Sequence, residues 1–189
     1  MIFFKTIMRE FSPEQIHIVN QAAAMAEELV SNHYKMSLTE WKRPRYDFKT
    51  LADLGPDEIV DGPLAQIIRY EGKPRHAFLN SSTYDFYKIC FQDHAIVKLL
   101  AQNPSIMLFS LVLYIATHEL IHIVRFSKFL QNFHASPDEK QAEEKRVHDK
   151  THEILSDIKL RGMTEVFEFS KSWRIPLDSL TDSPEKYSG

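Results

Sequence analysis

The chain has a single cysteine, Cys90, and few dense groups of basic residues. One cysteine cannot form an intramolecular disulfide, which excludes a disulfide framework and is typical of a reducing compartment. The 23 lysines and arginines are outnumbered by 26 acidic residues, for a formal net charge of −3, and WKRPR at 41–45 is the main basic cluster. This balance argues against a nucleic-acid partner. We therefore expect a cytoplasmic protein that binds no nucleic acid.

Long uncharged apolar runs are also scarce. The most apolar stretch, SIMLFSLVLYIA at 105–116, is too short to cross a bilayer and leads directly into a His-Glu-His segment. The opening MIFFKTIMREF carries Lys5, Arg9 and Glu10 and is followed by no small-residue cleavage site, so it does not resemble a signal peptide. We expect no membrane partner, and we interpret 105–116 as part of a buried helix.

The remaining composition is that of a folded domain. Of the 189 residues, 43% are hydrophobic, enough for one sizeable core. We expect a single domain over 1–180 and a flexible tail over 181–189, because the end of the chain, DSPEKYSG, is polar. Glycine and proline cluster between 42 and 80, where LAQIIRY and RHAFLN flank EGKP and predict a hairpin in a small antiparallel sheet.

Helical patterns dominate elsewhere and predict an α+β fold that is mostly helical. SPEQ at 12–15 and SPDE at 136–139 both match a capping box with proline at the first helical position. The predicted helices are 13–33, a second from about 81 to 102, a third at 105–131, a fourth at 138–160 and a short fifth at 164–173.

The segment ATHELIHIVRF at 116–126 places three ionisable residues in an apolar helix, where burial is costly unless something satisfies them. His118 and His122 are four residues apart, so about 40° separates them around the helix and both imidazoles can reach one metal ion. Glu119 is rotated by about 100° from His118 and can take a proton from water beside that ion. This spacing is the HExxH pattern of zinc hydrolases.

A hydrolytic zinc site needs a third protein ligand and one open position. Helical projection of the fourth helix places Glu144 about 30° from the centre of its apolar face, which makes it the best candidate. His148 lies one turn later and is either a further ligand or a hydrogen-bond donor to a ligand or to the substrate oxyanion. We interpret Glu143 as a solvated carboxylate near the start of the helix, and His152 as an exposed or half-buried histidine.

HELIH at 118–122, followed by EEKRVH at 143–148, resembles the gluzincin zinc metallopeptidases, especially their minimal single-domain intracellular members. The resemblance implies a small sheet packed with an active-site helix and a glutamate helix. It implies one zinc ion held by His118, His122 and Glu144, with Glu119 as general base and acid in the hydrolysis of a peptide or protein substrate. Members often have a carboxylate one turn after the ligand glutamate, whereas this chain has His148. The oxyanion stabiliser is not identified by the motifs, and Tyr114, Arg146 and His148 are its candidates.

Two alternatives use other combinations of residues. Glu119/His122 and Asp149/His152 could form a di-iron site in a helical bundle, with carboxylates from Asp93 and from Glu27 or Glu28. The chain could instead be a zinc-stabilised protein without catalytic activity that binds a partner through the aromatic TYDFYKICF at 83–91, although core packing explains those aromatics more simply. A latent enzyme whose C-terminal segment fills the cleft would also be inactive in an assay.

Overall fold

The computed structural model describes residues 8–41, 45–72, 84–128, 130–172 and 180–182. Within these ranges six α-helices, two 3₁₀ helices (Leu51–Asp53 and Pro56–Glu58) and four strands form the predicted α+β fold. The helices are α1 (Pro13–His33), α2 (Leu38–Trp41), α3 (Asp93–Gln102), α4 (Leu108–Ser127), α5 (Pro137–Ser156) and α6 (Met163–Lys171). The strands are β1 (Arg45–Lys49), β2 (Ala65–Gly72), β3 (Tyr84–Phe91) and β4 (Leu180–Asp182).

The two capping boxes begin α1 and α5 as predicted. Ser12 accepts a hydrogen bond from the backbone of Gln15, whose side chain accepts one from the Ser12 backbone. Ser136 and Glu139 form the same reciprocal pair at the start of α5. In both helices proline occupies the first turn, where its missing N–H costs nothing. The local sequence is therefore sufficient to start both helices.

Helix α4 is the centre of the molecule, and every residue from 110 to 124 is buried. Small residues on α1, among them Ala22 and Ala26, pack closely against it, with α5, α6 and β2 on other sides. The helix has the length and apolarity of a membrane span. However, 83% of its most apolar 18-residue stretch is buried inside the protein, as in the core helix of a soluble protein. It is shorter at both ends than the predicted 105–131.

The segment 84–91 is a strand, so the helix predicted from about 81 is wrong there and begins only at Asp93. Tyr87, Ile89 and Phe91 alternate along β3 and all enter the hydrophobic core. This two-residue period, together with neighbouring strands on both sides, overrides any helical propensity. The described aromatics of TYDFYKICF thus serve mainly in the sheet and the core.

The sheet has the order β1-β3-β2-β4. β2 and β3 are antiparallel, but β1 runs parallel to β3 and β4 parallel to β2, so the sheet is mixed and the antiparallel prediction holds for one pairing only. The predicted second hairpin strand, 75–80, lies outside the described residues. Thr181 and Asp182, assigned to the tail by sequence, belong to β4.

Aromatic packing connects the sheet to the part of α4 that carries the histidines. The Tyr87 ring of β3 stacks on Phe126, with ring centroids 5.8 Å apart and planes 10° from parallel. Phe126 is one turn after His122 and stacks on its ring at 6.2 Å. The sheet therefore supports the carboxyl-terminal half of α4 and limits the orientations open to His122.

Candidate metal centre

The two histidines of HELIH converge as the spacing predicts. His118 and His122 are both completely buried on α4. Their Nε2 atoms are 3.2 Å apart, and their ring centroids are 4.9 Å apart. Two imidazole nitrogens are thus directed at one point inside the protein.

Glu144 on α5 supplies a carboxylate at the same point. Its Oε1 is 2.9 Å from His122 Nε2, and its Oε2 is 3.2 Å from His118 Nε2. Burial opposes ionisation of this carboxyl, but hydrogen bonds and charge from His118 and His122 outweigh burial and hold the pKa of Glu144 well below its usual range. The structure therefore brings together all three residues predicted as ligands.

The spacing of these three donors fits a zinc ion. Tetrahedral donors at about 2.0–2.1 Å from zinc lie about 3.3–3.4 Å from one another. The two histidine Nε2 atoms are 3.2 Å apart, and each lies near a different oxygen of Glu144, Oε2 at 3.2 Å from His118 and Oε1 at 2.9 Å from His122. Two imidazoles and one carboxylate also form the donor set of hydrolytic zinc sites, in which the fourth position is left open.

His122 has a further partner that the sequence does not reveal. Its Nδ1 is 2.9 Å from Gln131 Oε1, so Nδ1–H donates to the amide oxygen and Nε2 keeps its lone pair for a metal. Gln131 follows α4 in the chain and belongs to no recognisable motif. Its contact with His122 depends on the path of the chain after α4. For His118, Nδ1 is buried and has no hydrogen-bond partner among the residues that the structure describes.

The catalytic candidate Glu119 is completely buried on α4, next to His118. A carboxylate at this depth is costly in an apolar helix unless it has a local role. Its sequence position gives it a rotation of about 100° from His118, on a neighbouring part of the helix surface. The structure is thus compatible with the predicted position of a base beside the donors.

His148, the second catalytic candidate, lies at the edge of the site. Its ring centroid is 4.6 Å from that of His118, and donor atoms of His148, His118 and Glu144 all lie within 4.8 Å of one another. Burial, and then the charge of His118, lower the pKa of His148 to about 4. Tyr114 Oη is 2.9 Å from His148 Nδ1, and burial raises the pKa of Tyr114 to about 12.

Glu143 is not the solvated carboxylate that the sequence predicted. Its side chain is 6% exposed and pairs with Arg125 of α4 and with Arg146, whose Nη1 is 3.1 Å away. The adjacent Glu144, rotated by about 100° around α5, faces the histidines. Arg146, whose side chain is 67% exposed, thus pairs with Glu143 at the surface.

Several residues of the di-iron alternative lie at the surface or have other hydrogen-bond partners. Asp149 and His152 are exposed on α5, and the His152 ring stacks on Phe167 at 3.9 Å. Asp93 accepts hydrogen bonds from the backbone N–H groups of Phe11 and Leu51, far along the chain from the motif. His152 fits the exposed histidine expected from its position.

Comparisons with protein-family models, with curated proteins and with solved structures find no match for this chain. The case for a function therefore depends on the chemistry and spacing of the residues themselves.

Proposed function

We propose that the protein is a zinc-dependent peptidase of the gluzincin type, active in the cytoplasm on peptide or protein substrates. The observation that carries the proposal is the convergence of His118, His122 and Glu144 with separations close to those of tetrahedral zinc donors. HELIH supplies two of these donors, and its glutamate, Glu119, is the motif residue that acts as the base in such enzymes.

Each residue has a distinct role in the proposed reaction. His118, His122 and Glu144 hold zinc, which when bound lowers the pKa of water towards 7 and polarises a carbonyl. Glu119 accepts the proton of the attacking water and returns it to the leaving amine. His148 lies close enough to the donors to hydrogen-bond the carbonyl oxygen as its negative charge develops.

Metal analysis by inductively coupled plasma mass spectrometry is the first test. The wild-type chain is expected to carry about one zinc ion, Glu144→Ala to lose it, and His148→Ala to retain it. His152→Ala removes an exposed histidine from the same helix and is the matched control. Two irons per chain, or no metal in the wild type, would contradict the proposal.

Turnover of a peptide library tests Glu119 separately from metal binding. Glu119→Gln preserves the shape of the side chain but cannot accept a proton, so we expect full zinc content and a loss of activity of at least about 100-fold. Activity close to wild type in a zinc-loaded Glu119→Gln protein would refute this mechanism.

A stable zinc site without any hydrolysis would favour a zinc-stabilised binding protein or a latent enzyme. These two differ in their response to truncation before β4, since β4 lies at the end of the described chain and pairs with β2. Activity that appears after truncation indicates latency. Continued inactivity with zinc retained indicates a binding protein.

A further inference from the structure

His148 is held by a residue from the metal-binding helix itself. Tyr114 lies one turn before His118 on α4 and is 1% exposed, and its hydroxyl is 2.9 Å from His148 Nδ1. The two rings are in contact, with centroids 6.1 Å apart. Phe167 of α6 packs edge-on against Tyr114 at 6.3 Å and restricts the phenol further.

Either partner of the Tyr114–His148 contact can be the donor, and the phenolic hydroxyl is the stronger donor of the two. A tyrosine hydroxyl that keeps its proton is a good donor, and a neutral imidazole has one donor nitrogen and one acceptor nitrogen. If the hydroxyl donates to Nδ1, the imidazole proton is on Nε2. Nε2 lies across the ring from the atom that faces Tyr114.

We propose that Tyr114 is a positioning residue that fixes His148 as a neutral Nε2–H tautomer, so that His148 donates a hydrogen bond to the substrate oxyanion and does not bind the metal. This inference rests on the proposed peptidase function for its catalytic part. Its structural part, the tautomer, stands independently of any reaction.

The tautomer also explains how the open coordination position is kept. Donor atoms of His148 lie within 4.8 Å of those of His118 and Glu144, so His148 is close enough to take a coordination position that a hydrolytic site leaves open. An Nε2 that carries a proton has no lone pair for a metal. Tyr114 would thus exclude His148 as a further ligand and leave its Nε2–H as a hydrogen-bond donor.

Long-range ¹H–¹⁵N correlation NMR of the histidine rings tests the tautomer directly. Spectra are recorded for the full chain with and without zinc, and the His148 signals are assigned by their loss in His148→Gln. We expect a protonated Nε2 and an unprotonated Nδ1 in the wild type, and a mixture of tautomers in Tyr114→Phe. Tyr46→Phe is the matched control, because Tyr46 is also part-buried and its hydroxyl donates to Glu27 at 2.8 Å, on other elements.

Kinetics of the zinc-loaded variants test the catalytic part. Tyr114→Phe should lower kcat by about 10–100-fold, with little change in KM or zinc content. Loss of a hydrogen bond that orients a residue of a metal site typically has an effect of this size. His148→Ala should lower kcat by about 100-fold or more. Tyr46→Phe should leave kcat unchanged.

The outcomes separate this inference from the proposed function. A protonated Nδ1 in the wild type, coupling of His148 to ¹¹³Cd in the cadmium-substituted chain, or a spectrum unchanged by Tyr114→Phe would overturn the tautomer assignment. A kcat unaffected by Tyr114→Phe would overturn the catalytic part. A chain with the expected tautomer that hydrolyses no peptide would contradict the peptidase proposal and leave the tautomer assignment supported.

Discussion

His118 and His122 present the same atom to the site but are supported differently. His122 Nδ1 bonds to Gln131, whereas His118 Nδ1 has no hydrogen-bond partner among the described residues and its ring is bordered by His148. An imidazole with a fixed second nitrogen is a better oriented ligand than one fixed by packing alone. We infer that the precision of the site depends strongly on Gln131.

Gln131→Leu should weaken zinc binding by about 10–100-fold, because it removes the acceptor that orients His122. Gln141→Leu is the control, since Gln141 is an exposed glutamine on α5. Competition with a chromogenic chelator measures both affinities. Equal affinities for Gln131→Leu and the wild type would show that packing alone orients His122.

At the scale of elements, the third donor depends on the correct start of α5. Glu144 lies two turns after the capping box formed by Ser136 and Glu139. Loss of the cap frays the first turns, and fraying there moves Glu144 relative to α4. Helix α1 has an equivalent cap and carries no proposed metal donor, so loss of its cap is a control for loss of the α5 cap.

Ser136→Ala and Ser12→Ala should each lower the free energy of unfolding by about 1 kcal/mol. Only Ser136→Ala should also lower zinc affinity, since of the two capped helices only α5 carries a proposed ligand. Denaturant unfolding gives the first quantity and chelator competition the second. A similar fall in zinc affinity for Ser12→Ala would mean that general stability, not the start of α5, controls the site.

Helices α1 and α5 and strand β3 show which parts of the fold the sequence alone could predict. Capping boxes are local signals, and they gave the first residues of α1 and α5 correctly. β3 was misjudged because its apolar residues lead into α3 without an obvious break, and because one of its two partners, β1, lies well before it in the sequence. Pairing of this kind is decided by tertiary contacts.

The residues of the site also include some that the sequence predicted and some that it did not. The spacing within HELIH and the apolar face of α5 predicted the convergence of His118, His122 and Glu144. Helical geometry alone determines which side chains of one helix share a face. Gln131 and the burial of Glu143 could not be predicted, since both depend on how α4 and α5 are placed against each other. Neither residue belongs to a recognisable local pattern.

At the scale of the whole molecule, one buried carboxylate joins the sheet to the loop before β2. Glu58 accepts hydrogen bonds from Tyr70 of β2, from Lys88 of β3 and from the backbone of Gly55. Burial alone would raise the pKa of Glu58, but the bonds from Lys88 and Tyr70 hold it below its ordinary value of 4.5. Its contribution to stability is therefore present above that value and is lost as the pH falls through the lower, folded pKa.

Glu58→Gln should reduce the free energy of unfolding by about 1.5–3 kcal/mol at pH 7, the usual range for hydrogen bonds to a charged group. The difference from wild type should stay constant between pH 7 and about pH 5 and shrink below about pH 4.5. Urea unfolding across this range measures it. A difference that grows on acidification would contradict the assigned direction of the pKa shift.

Zinc should stabilise the entire fold, because its donors join two helices of the core. At a free concentration about 100 times its dissociation constant, a ligand specific for the folded state adds about 2.7 kcal/mol. For a chain of this size this corresponds to a rise in Tm of roughly 5–11 °C. Differential scanning fluorimetry with and without zinc checks the shift, and Glu144→Ala should show much less of it.

The unequal burial of the donors has a kinetic consequence. His118 and His122 are locked in a helix that is buried on all sides, while the Glu144 side chain is 23% exposed on α5. A bound ion would therefore leave in a fixed sequence, with the carboxylate detaching first and the two imidazoles releasing the ion afterwards. Local opening of α5 would set the rate of metal exchange, and exchange would proceed without unfolding of the core.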